Sequence, residues 1–346
     1  ISDVDPLQWV PNDIVQFPTF LERYLLAYWY IDASDQGRNV WRTCNPPNPI
    51  GSASFCVFDQ ANLSTSLLLP SNNYNSQLQI QYTQVRSSRW LSNVHQCEWA
   101  GVLCYPDNTI DAIQLNAHEI QGTLPTELGL LRGAQTLSLV SNQITGTLPE
   151  TGLQAFTDLT LAYNNITGTI PEGYWTHNLV RLNLAHNQLN GSILVNTNTT
   201  TNNNNTPRRR WEELLLSNNP VSGTLPTLLG EYRSLRSLRL DDTLISGTIP
   251  TEVGYLTNLQ QLWLQRNPLL GGTIPSEVGT LSSSLQDLFL FDNTSLNGTI
   301  PDTIYQLTSL QQWIAYSMNL SGTISTLIDQ LTNLQQLELN FNQLTG

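Results

Sequence analysis

The chain has 346 residues, only 12% of them charged, and a formal net charge of −13 at pH 7. Its length and its 40% hydrophobic content are compatible with one extended domain or two compact ones around a large core. The excess of carboxylates repels phosphate groups, which argues against nucleic acid, and no apolar run reaches the roughly 18 to 20 residues of a membrane span.

The first element predicted along the chain is a helix over Phe17–Ile31, rich in aromatic and aliphatic residues, with Glu22 and Arg23 on its polar side. The chain begins without a basic and apolar leader, so we expect a secretory signal peptide to have been removed. We assign residues 1–104 to a helical, cysteine-bearing cap and residues 105–346 to the domain that follows.

Four cysteines lie in two local pairs, Cys44 with Cys56 and Cys97 with Cys104. Four cysteines allow three connectivities, among which short local closures are favoured, and disulfides persist in oxidising compartments. The alternative is a four-thiolate zinc site, although neither pair has the two-to-four-residue spacing that such sites prefer.

From residue 105 onward the chain repeats itself about ten times. The signature is Gly-Thr-Leu/Ile-Pro, and most copies are 22 to 26 residues apart. It begins at Gly122, Gly146, Gly168, Gly223, Gly247, Gly272 and Gly298, with degenerate copies at Gly191 and Gly322.

Each copy is preceded by an alternating segment such as Leu159-x-Leu161-x-x-Asn164. The alternation predicts a strand of one continuous parallel sheet, with the leucines pointing inward. The asparagine amide is expected to satisfy backbone groups at the bend and to form a ladder from coil to coil. Glycine then permits a tight turn, and a segment such as Thr251–Leu259 suits a short helical turn.

This repeat resembles the plant-type leucine-rich repeats of receptor-kinase ectodomains and polygalacturonase-inhibitor-like proteins, over about Trp90 to Gly346. Leucine-rich-repeat proteins of algae are also similar. The resemblance implies an α/β repeat solenoid, a right-handed horseshoe whose concave parallel sheet recognises a partner. Cys97-x-Trp99-x-Gly-Val-x-Cys104 resembles the family's N-terminal cap, in which the two cysteines pair and the tryptophan packs on the first coil.

Secretion is also suggested by eight Asn-x-Ser/Thr sequons, which are potential sites of N-linked glycans. They lie at Asn62, Asn165, Asn190, Asn198, Asn204, Asn293, Asn297 and Asn319. Two of them fall in an Asn/Thr-rich insertion, residues 196–210, which ends in three arginines and is expected to be an exposed loop. We expect a secreted or extracellular protein, at the cell surface or in the cell wall.

The candidate ligand-binding residues are those predicted to point outward from the later strands of the sheet. They are Arg239, Trp263, Arg266, Phe289, Phe291, Ile314 and Tyr316. Aromatic side chains exposed on a sheet are unfavourable unless a partner covers them. A charged cluster beside them, Arg239, Asp241, Asp242, Arg266 and Asp292, could fix the orientation of a partner. The alternative is that one-residue insertions near Gly271 and Asn293 shift the register and turn some of the aromatic residues inward, and that the charges of the cluster form solvated pairs.

The threonines that follow the repeat glycines are expected to line up in a column, so ice binding is a further interpretation, although the motif is also the structural signature of the repeat.

No nucleophile elbow, metalloprotease helix, phosphate loop or paired-carboxylate motif occurs, so we expect neither an enzyme nor a cofactor.

Two functions remain open from the sequence. The first is a non-catalytic extracellular module that binds a protein, peptide or polysaccharide on its concave face. The second is a glycosylated structural subunit that stacks head-to-tail with further copies of itself into a filament. In that case the assembly edge would be Leu337, Leu339, Phe341 and Leu344.

Overall fold

The computed structural model describes residues 101–131, 133–153, 156–176, 179–193 and 210–345, together with Leu25, Leu26, Trp29, Cys97 and Trp99. The chain divides into two compact units, residues 1–145 and 146–346. Leu25, Leu26 and Trp29 are helical and buried, as the predicted helix requires at those positions. Cys44, Cys56, Asn62 and the rest of Phe17–Ile31 lie outside the described residues.

In the first unit, strand Val102–Cys104 pairs antiparallel with Ile110–Gln114, which pairs in parallel with Thr136–Ser138. A second parallel pair joins Gln121–Gly122 to Gln143–Ile144, and a 3-10 helix spans Thr126–Leu130. A disulfide links Cys97 to Cys104, and Trp99 is buried. The cysteine pairing implied by the family's cap is therefore present.

The second unit is built on two parallel sheets, and each coil contributes one strand to each sheet. The first sheet contains Asp158–Thr160, Arg181–Asn183, Glu213–Leu215, Ser237–Arg239, Gln261–Trp263, Asp287–Phe289, Gln312–Ile314 and Gln336–Glu338, in that order. The middle residue of each strand points into the core and is fully buried in all but the last. The alternation read from the sequence is therefore correct, and the predicted parallel sheet is confirmed.

The second sheet begins just after the asparagine of each coil. Its strands are Thr167–Thr169, Gln188–Ser192, Val221–Thr224, Leu244–Thr248, Leu270–Thr273, Ser295–Thr299, Asn319–Thr323 and Gln343–Thr345. The sequence predicted only a glycine turn here, because the Gly-Thr motif lacks the alternation of large apolar residues that marks a strand.

Short helices complete the coils on the side opposite the first sheet. The 3-10 helices are Thr227–Glu231, Thr251–Tyr255, Ser276–Leu281, Asp302–Gln306 and Thr326–Gln330, and Gly173–Thr176 is α-helical. A proline with extended backbone precedes each of the first four 3-10 helices, where its fixed φ and missing N–H suit the start of a helix. The short helical turn predicted after Thr251 is confirmed.

The predicted asparagine ladder is present, and Asn267 shows how it works. Its Nδ2 donates to the carbonyl of Leu264 in its own coil at 2.9 Å and to that of Leu240 in the preceding coil at 2.8 Å. At Thr243, which replaces asparagine, the hydroxyl donates to the carbonyl of Leu240 at 2.9 Å and the backbone N–H donates to Asn267 Oδ1 at 3.1 Å, and the strands on either side stay in register. The hydroxyl therefore takes the place of the asparagine amide at this bend, and the ladder continues.

Candidate recognition surface

The outer face of the first sheet carries two rows of side chains at its centre. The central row consists of Leu215, Arg239, Trp263, Phe289, Ile314 and Glu338, the last residue of each strand. The lateral row consists of the residues that follow two positions after the central row in each coil: Ser217, Asp241, Gln265, Phe291 and Tyr316. All seven candidate residues lie in these rows or, for Arg266, directly beside them.

The central row is in register from coil to coil. Arg239 pairs with Trp263, Trp263 with Phe289, and Phe289 with Ile314 as Cα partners. None of these four side chains is turned into the core, and each is half-buried. The alternative that register shifts bury some of them is therefore incorrect, because the extra residues near Gly271 and Asn293 are accommodated after the strands.

The aromatic rings of this face stack on one another across neighbouring strands. Trp263 and Phe289 are stacked with ring centroids 4.9 Å apart, and Phe291 and Tyr316 are stacked at 4.7 Å. The guanidinium carbon of Arg239 lies 3.7 Å from the Trp263 ring centroid, on the side away from Phe289. Both faces of Trp263 are therefore covered, and its edge is the part that a partner would meet.

The bend that follows the lateral row carries the ion pairs predicted from the sequence. Arg266 Nη1 lies 3.3 Å from Asp242 Oδ2, and Arg266 Nε lies 3.7 Å from Asp292 Oδ2. The Arg266 guanidinium also lies 5.3 Å from the Phe291 centroid and is 53% exposed. Exposed pairs of this kind contribute little to stability, but they hold the guanidinium against the ring.

The lateral row contains the buried polar residues Asp241, which belongs to the charged cluster predicted from the sequence, and Gln265, which was not predicted. Asp241 is 7% exposed and accepts a hydrogen bond of 2.5 Å from the Ser217 hydroxyl. Burial raises the pKa of Asp241 above the usual value for aspartate, although the Ser217 hydrogen bond acts in the opposite direction. Gln265 is 5% exposed, and within the described part of the chain its Oε1 has no hydrogen-bond partner.

A separate ionic cluster on the same face surrounds Arg181. Its Nη1 lies 2.6 Å from Asp158 Oδ1 and its Nη2 lies 2.8 Å from Glu212 Oε2. Burial raises the pKa of Glu213, against the attraction of Arg181 and Arg239. The alternating strand pattern places Asp158, Arg181 and Glu213 at outward positions. Their opposite charges in adjacent repeats are therefore the pattern from which this ionic cluster could have been predicted.

Four of the predicted glycosylation sites are exposed and lie on or beside the second sheet: Asn165, Asn190, Asn297 and Asn319. Asn293 is different, because it is fully buried and its Nδ2 donates to the carbonyls of Leu264 and Leu290. Its assignment as a glycosylation site is not compatible with the fold. Asn198, Asn204 and all of the insertion except Arg210 lie outside the described residues.

The predicted assembly edge lies in the last described coil. Phe341 is 79% exposed and Leu337 is 38% exposed, whereas Leu339 and Leu344 are half-buried. Each earlier coil is covered by the one that follows it, so this exposure reflects the position of the coil at the end of the sequence. It carries no argument for assembly.

Within the described ranges, no group of three or more His, Cys, Asp or Glu residues is arranged to hold a metal ion. No helix in the same ranges has the length and apolar character needed to cross a bilayer.

Comparison with known proteins identifies the repeats. The family model for the Leucine Rich Repeat matches residues 258–281. The receptor-like serine/threonine-protein kinase RGI3 of Arabidopsis thaliana is 34% identical over 88 residues, which are 25% of this chain and 8% of the kinase.

Solved structures agree with this match. The ectodomain of the Arabidopsis thaliana receptor kinase GASSHO1/SCHENGEN3, in complex with CASPARIAN STRIP INTEGRITY FACTOR 2, has a TM-score of 0.60 and 29% identity over 70% of this chain. The Arabidopsis receptor kinase HAESA, in complex with the peptide hormone IDA and the co-receptor SERK1, has a TM-score of 0.55 and 32% identity over 73% of this chain. A plant ice-binding protein has a TM-score of 0.59 at 22% identity, covering 74% of this chain and 81% of its own, and shows the fold alone.

The chain spans only 28% of the GASSHO1/SCHENGEN3 chain and 37% of the HAESA chain. The family model, the kinase RGI3 and the solved receptor-kinase ectodomains nevertheless indicate the same type of repeat. The chain therefore folds as a leucine-rich-repeat solenoid similar to the ectodomains of plant receptor kinases.

Proposed function

We propose that the protein is an extracellular recognition module that binds a peptide, or an extended segment of a protein, on the outer face of the first sheet. The observation that carries this proposal is the row Arg239, Trp263, Phe289 and Ile314, which presents an edge-on apolar stripe bordered by polar side chains. HAESA, which has the same fold, is described in complex with a peptide hormone. We expect this chain to be secreted and to act at the cell surface or in the cell wall, without catalysis.

The stacking geometry favours a peptide over a polysaccharide. A sugar ring packs on the open face of an aromatic side chain, but Trp263 is covered by Arg239 and Phe289, and Phe291 lies between Arg266 and Tyr316. Ring edges carry partial positive charge and attract carbonyl oxygens, which a peptide backbone supplies at every residue. An extended chain laid across the strands would meet these edges in succession.

The filament remains the weaker alternative. RGI3, GASSHO1/SCHENGEN3 and HAESA are described as receptor kinases or their ectodomains, and none of these three descriptions supports head-to-tail assembly.

The test is to pan a library of displayed random peptides, in parallel with an array of plant and algal glycans, against the immobilised full chain. We expect peptides to be retained by the wild-type chain and lost with Trp263→Ala. Tyr255→Ala is the matched control, since Tyr255 is an exposed aromatic residue on a 3-10 helix away from the first sheet. Both variants are first compared with the wild type by circular dichroism and thermal melting. Retention of glycans only, or of the same peptides by Trp263→Ala, would reject the proposal.

A further inference from the structure

The outer face around the aromatic rows is negatively charged. Besides the two guanidinium groups of Arg239 and Arg266, it holds five carboxylates: Asp241, Asp242, Asp287, Asp292 and Glu338. Both arginines are already engaged. Arg239 lies on Trp263 and donates to Gln261 Oε1 at 2.8 Å, and Arg266 lies between Asp242 and Asp292. The carboxylates therefore exceed the cations by three, and a partner with positive charge would match this face.

The lateral row contains the position where such a charge would be held. Asp241 and Gln265 lie in adjacent coils, each two residues past the end of its strand. They are about 4.8 Å apart by the spacing of a parallel sheet, because the amide of Asp242 donates to the carbonyl of Gln265. Both side chains are more than nine-tenths buried and both offer oxygen acceptors. Ser217 donates to one carboxylate oxygen of Asp241, but Gln265 Oε1 has no donor among the described residues. A buried acceptor without a donor is unfavourable, and a bound donor would recover this loss.

The walls of this position also suit a cation. Phe291 follows Gln265 in the lateral row, and Trp263, the last residue of its strand, precedes Gln265 by two residues. These rings can pack against the aliphatic stem of a lysine or arginine, whereas a bound carboxylate or phosphate would face the net negative charge of the surrounding groups.

We infer that Asp241 and Gln265 form a subsite for a basic side chain, so that the partner is a peptide with a lysine or arginine next to apolar residues. This inference rests on the proposed function and specifies the chemistry of its ligand. The basic group would donate to the Asp241 carboxylate and to Gln265 Oε1, while the neighbouring apolar residues of the peptide cover the edges of Trp263 and Phe289.

The experiment starts from a synthetic copy of the peptide most enriched by panning on the wild-type chain, together with a copy in which each lysine or arginine is replaced by norleucine or citrulline. Affinities for both peptides are measured calorimetrically with the wild type, Asp241→Asn and Gln265→Leu. Asp302→Asn is the charge-matched control, because Asp302 is exposed at the start of a 3-10 helix away from the first sheet.

We expect the enriched peptides to be basic and Asp241→Asn to weaken binding of the native peptide about tenfold. The neutral copy should bind the wild type and Asp241→Asn equally, which a general loss of folding would not produce. Panning that yields peptides without basic residues, or equal affinity of the basic peptide for the wild type and Asp241→Asn, would overturn the subsite. If either result overturned the subsite but Trp263→Ala still abolished peptide binding, the proposed function would stand. If the wild type retained no peptide, both would fall.

Discussion

At the residue scale, buried polar side chains distinguish the outer face of the first sheet from an ordinary solvated surface. Asp241 is held by one hydroxyl and shielded by its neighbours in the adjacent coils, and burial raises its pKa. Such a carboxylate is unfavourable for the folded chain when it is ionised. Its retention at an outward position is understandable if the charge has a role in binding.

The raised pKa of Asp241 makes the stability of the folded chain depend on pH. Because the pKa of Asp241 is higher in the folded chain than in the unfolded chain, the folded chain binds the proton more tightly, and stability falls as the pH rises through the interval between the two values. Asp241→Asn removes this penalty. We therefore expect Asp241→Asn to raise the melting temperature relative to the wild type at about pH 7, and the gain to disappear near pH 3, where the carboxyl is protonated in both states.

Differential scanning calorimetry of both proteins at the two pH values measures this effect, with Asp302→Asn as the exposed control. An equal difference in melting temperature at both pH values would contradict the assignment of Asp241 as a buried carboxylate with a raised pKa.

At the element scale, the second sheet depends on a contact between threonine and glycine that recurs from coil to coil. Gly298 has φ +82°, and a Cβ added there would lie 2.7 Å from Thr273 Cγ2 of the preceding coil. The Cα partner of Thr273 is Asn297, and that of Thr299 is Ser321, so the threonines are staggered by two residues. The expected straight column of threonines is therefore absent, because each methyl group packs over the glycine of the next coil.

We predict that Gly298→Ala lowers the free energy of unfolding by about 2 to 4 kcal/mol, from the left-handed backbone and the close contact together. Adding Thr273→Ser removes the methyl group and should recover the contact part, leaving the backbone part. Gly133→Ala is the control, because Gly133 has φ +101° but its nearest neighbour would lie 3.7 Å from the added Cβ. Urea unfolding of the four proteins gives the values. If adding Thr273→Ser recovers none of the lost free energy of unfolding, the contact between the Thr273 methyl group and position 298 does not contribute to that loss.

At the scale of the molecule, the two sheets of the second unit present different chemistry. The first sheet carries the aromatic rows and the clustered charges, whereas all four exposed sequons within the described residues lie on or next to the second sheet. Glycans there would leave the outer face of the first sheet free for a partner. They would also cover the threonines of the second sheet, which weakens the ice-binding reading.

We predict N-linked glycans on Asn165, Asn190, Asn297 and Asn319 and none on Asn293 when the chain is secreted from a eukaryotic host. The reason is that Asn293 is fully buried and its amide already serves two backbone carbonyls. Enzymatic deglycosylation in heavy water followed by mass spectrometry of the peptides identifies the occupied sites. Occupancy at Asn293 in folded protein would contradict the ladder geometry.

The repeat period, the inward leucines, the asparagine ladder and the outward placement of Trp263, Phe289 and Tyr316 followed from the sequence by itself. Each depends on a local pattern that recurs, and strand alternation alone determines which side chains share a face. The tertiary structure decided what lies in neighbouring coils. The burial of Asn293 and Asp241, the coverage of the Trp263 ring by Arg239 and Phe289, and the stagger of the threonines all depend on contacts between residues more than twenty positions apart, which a pattern within one repeat does not contain.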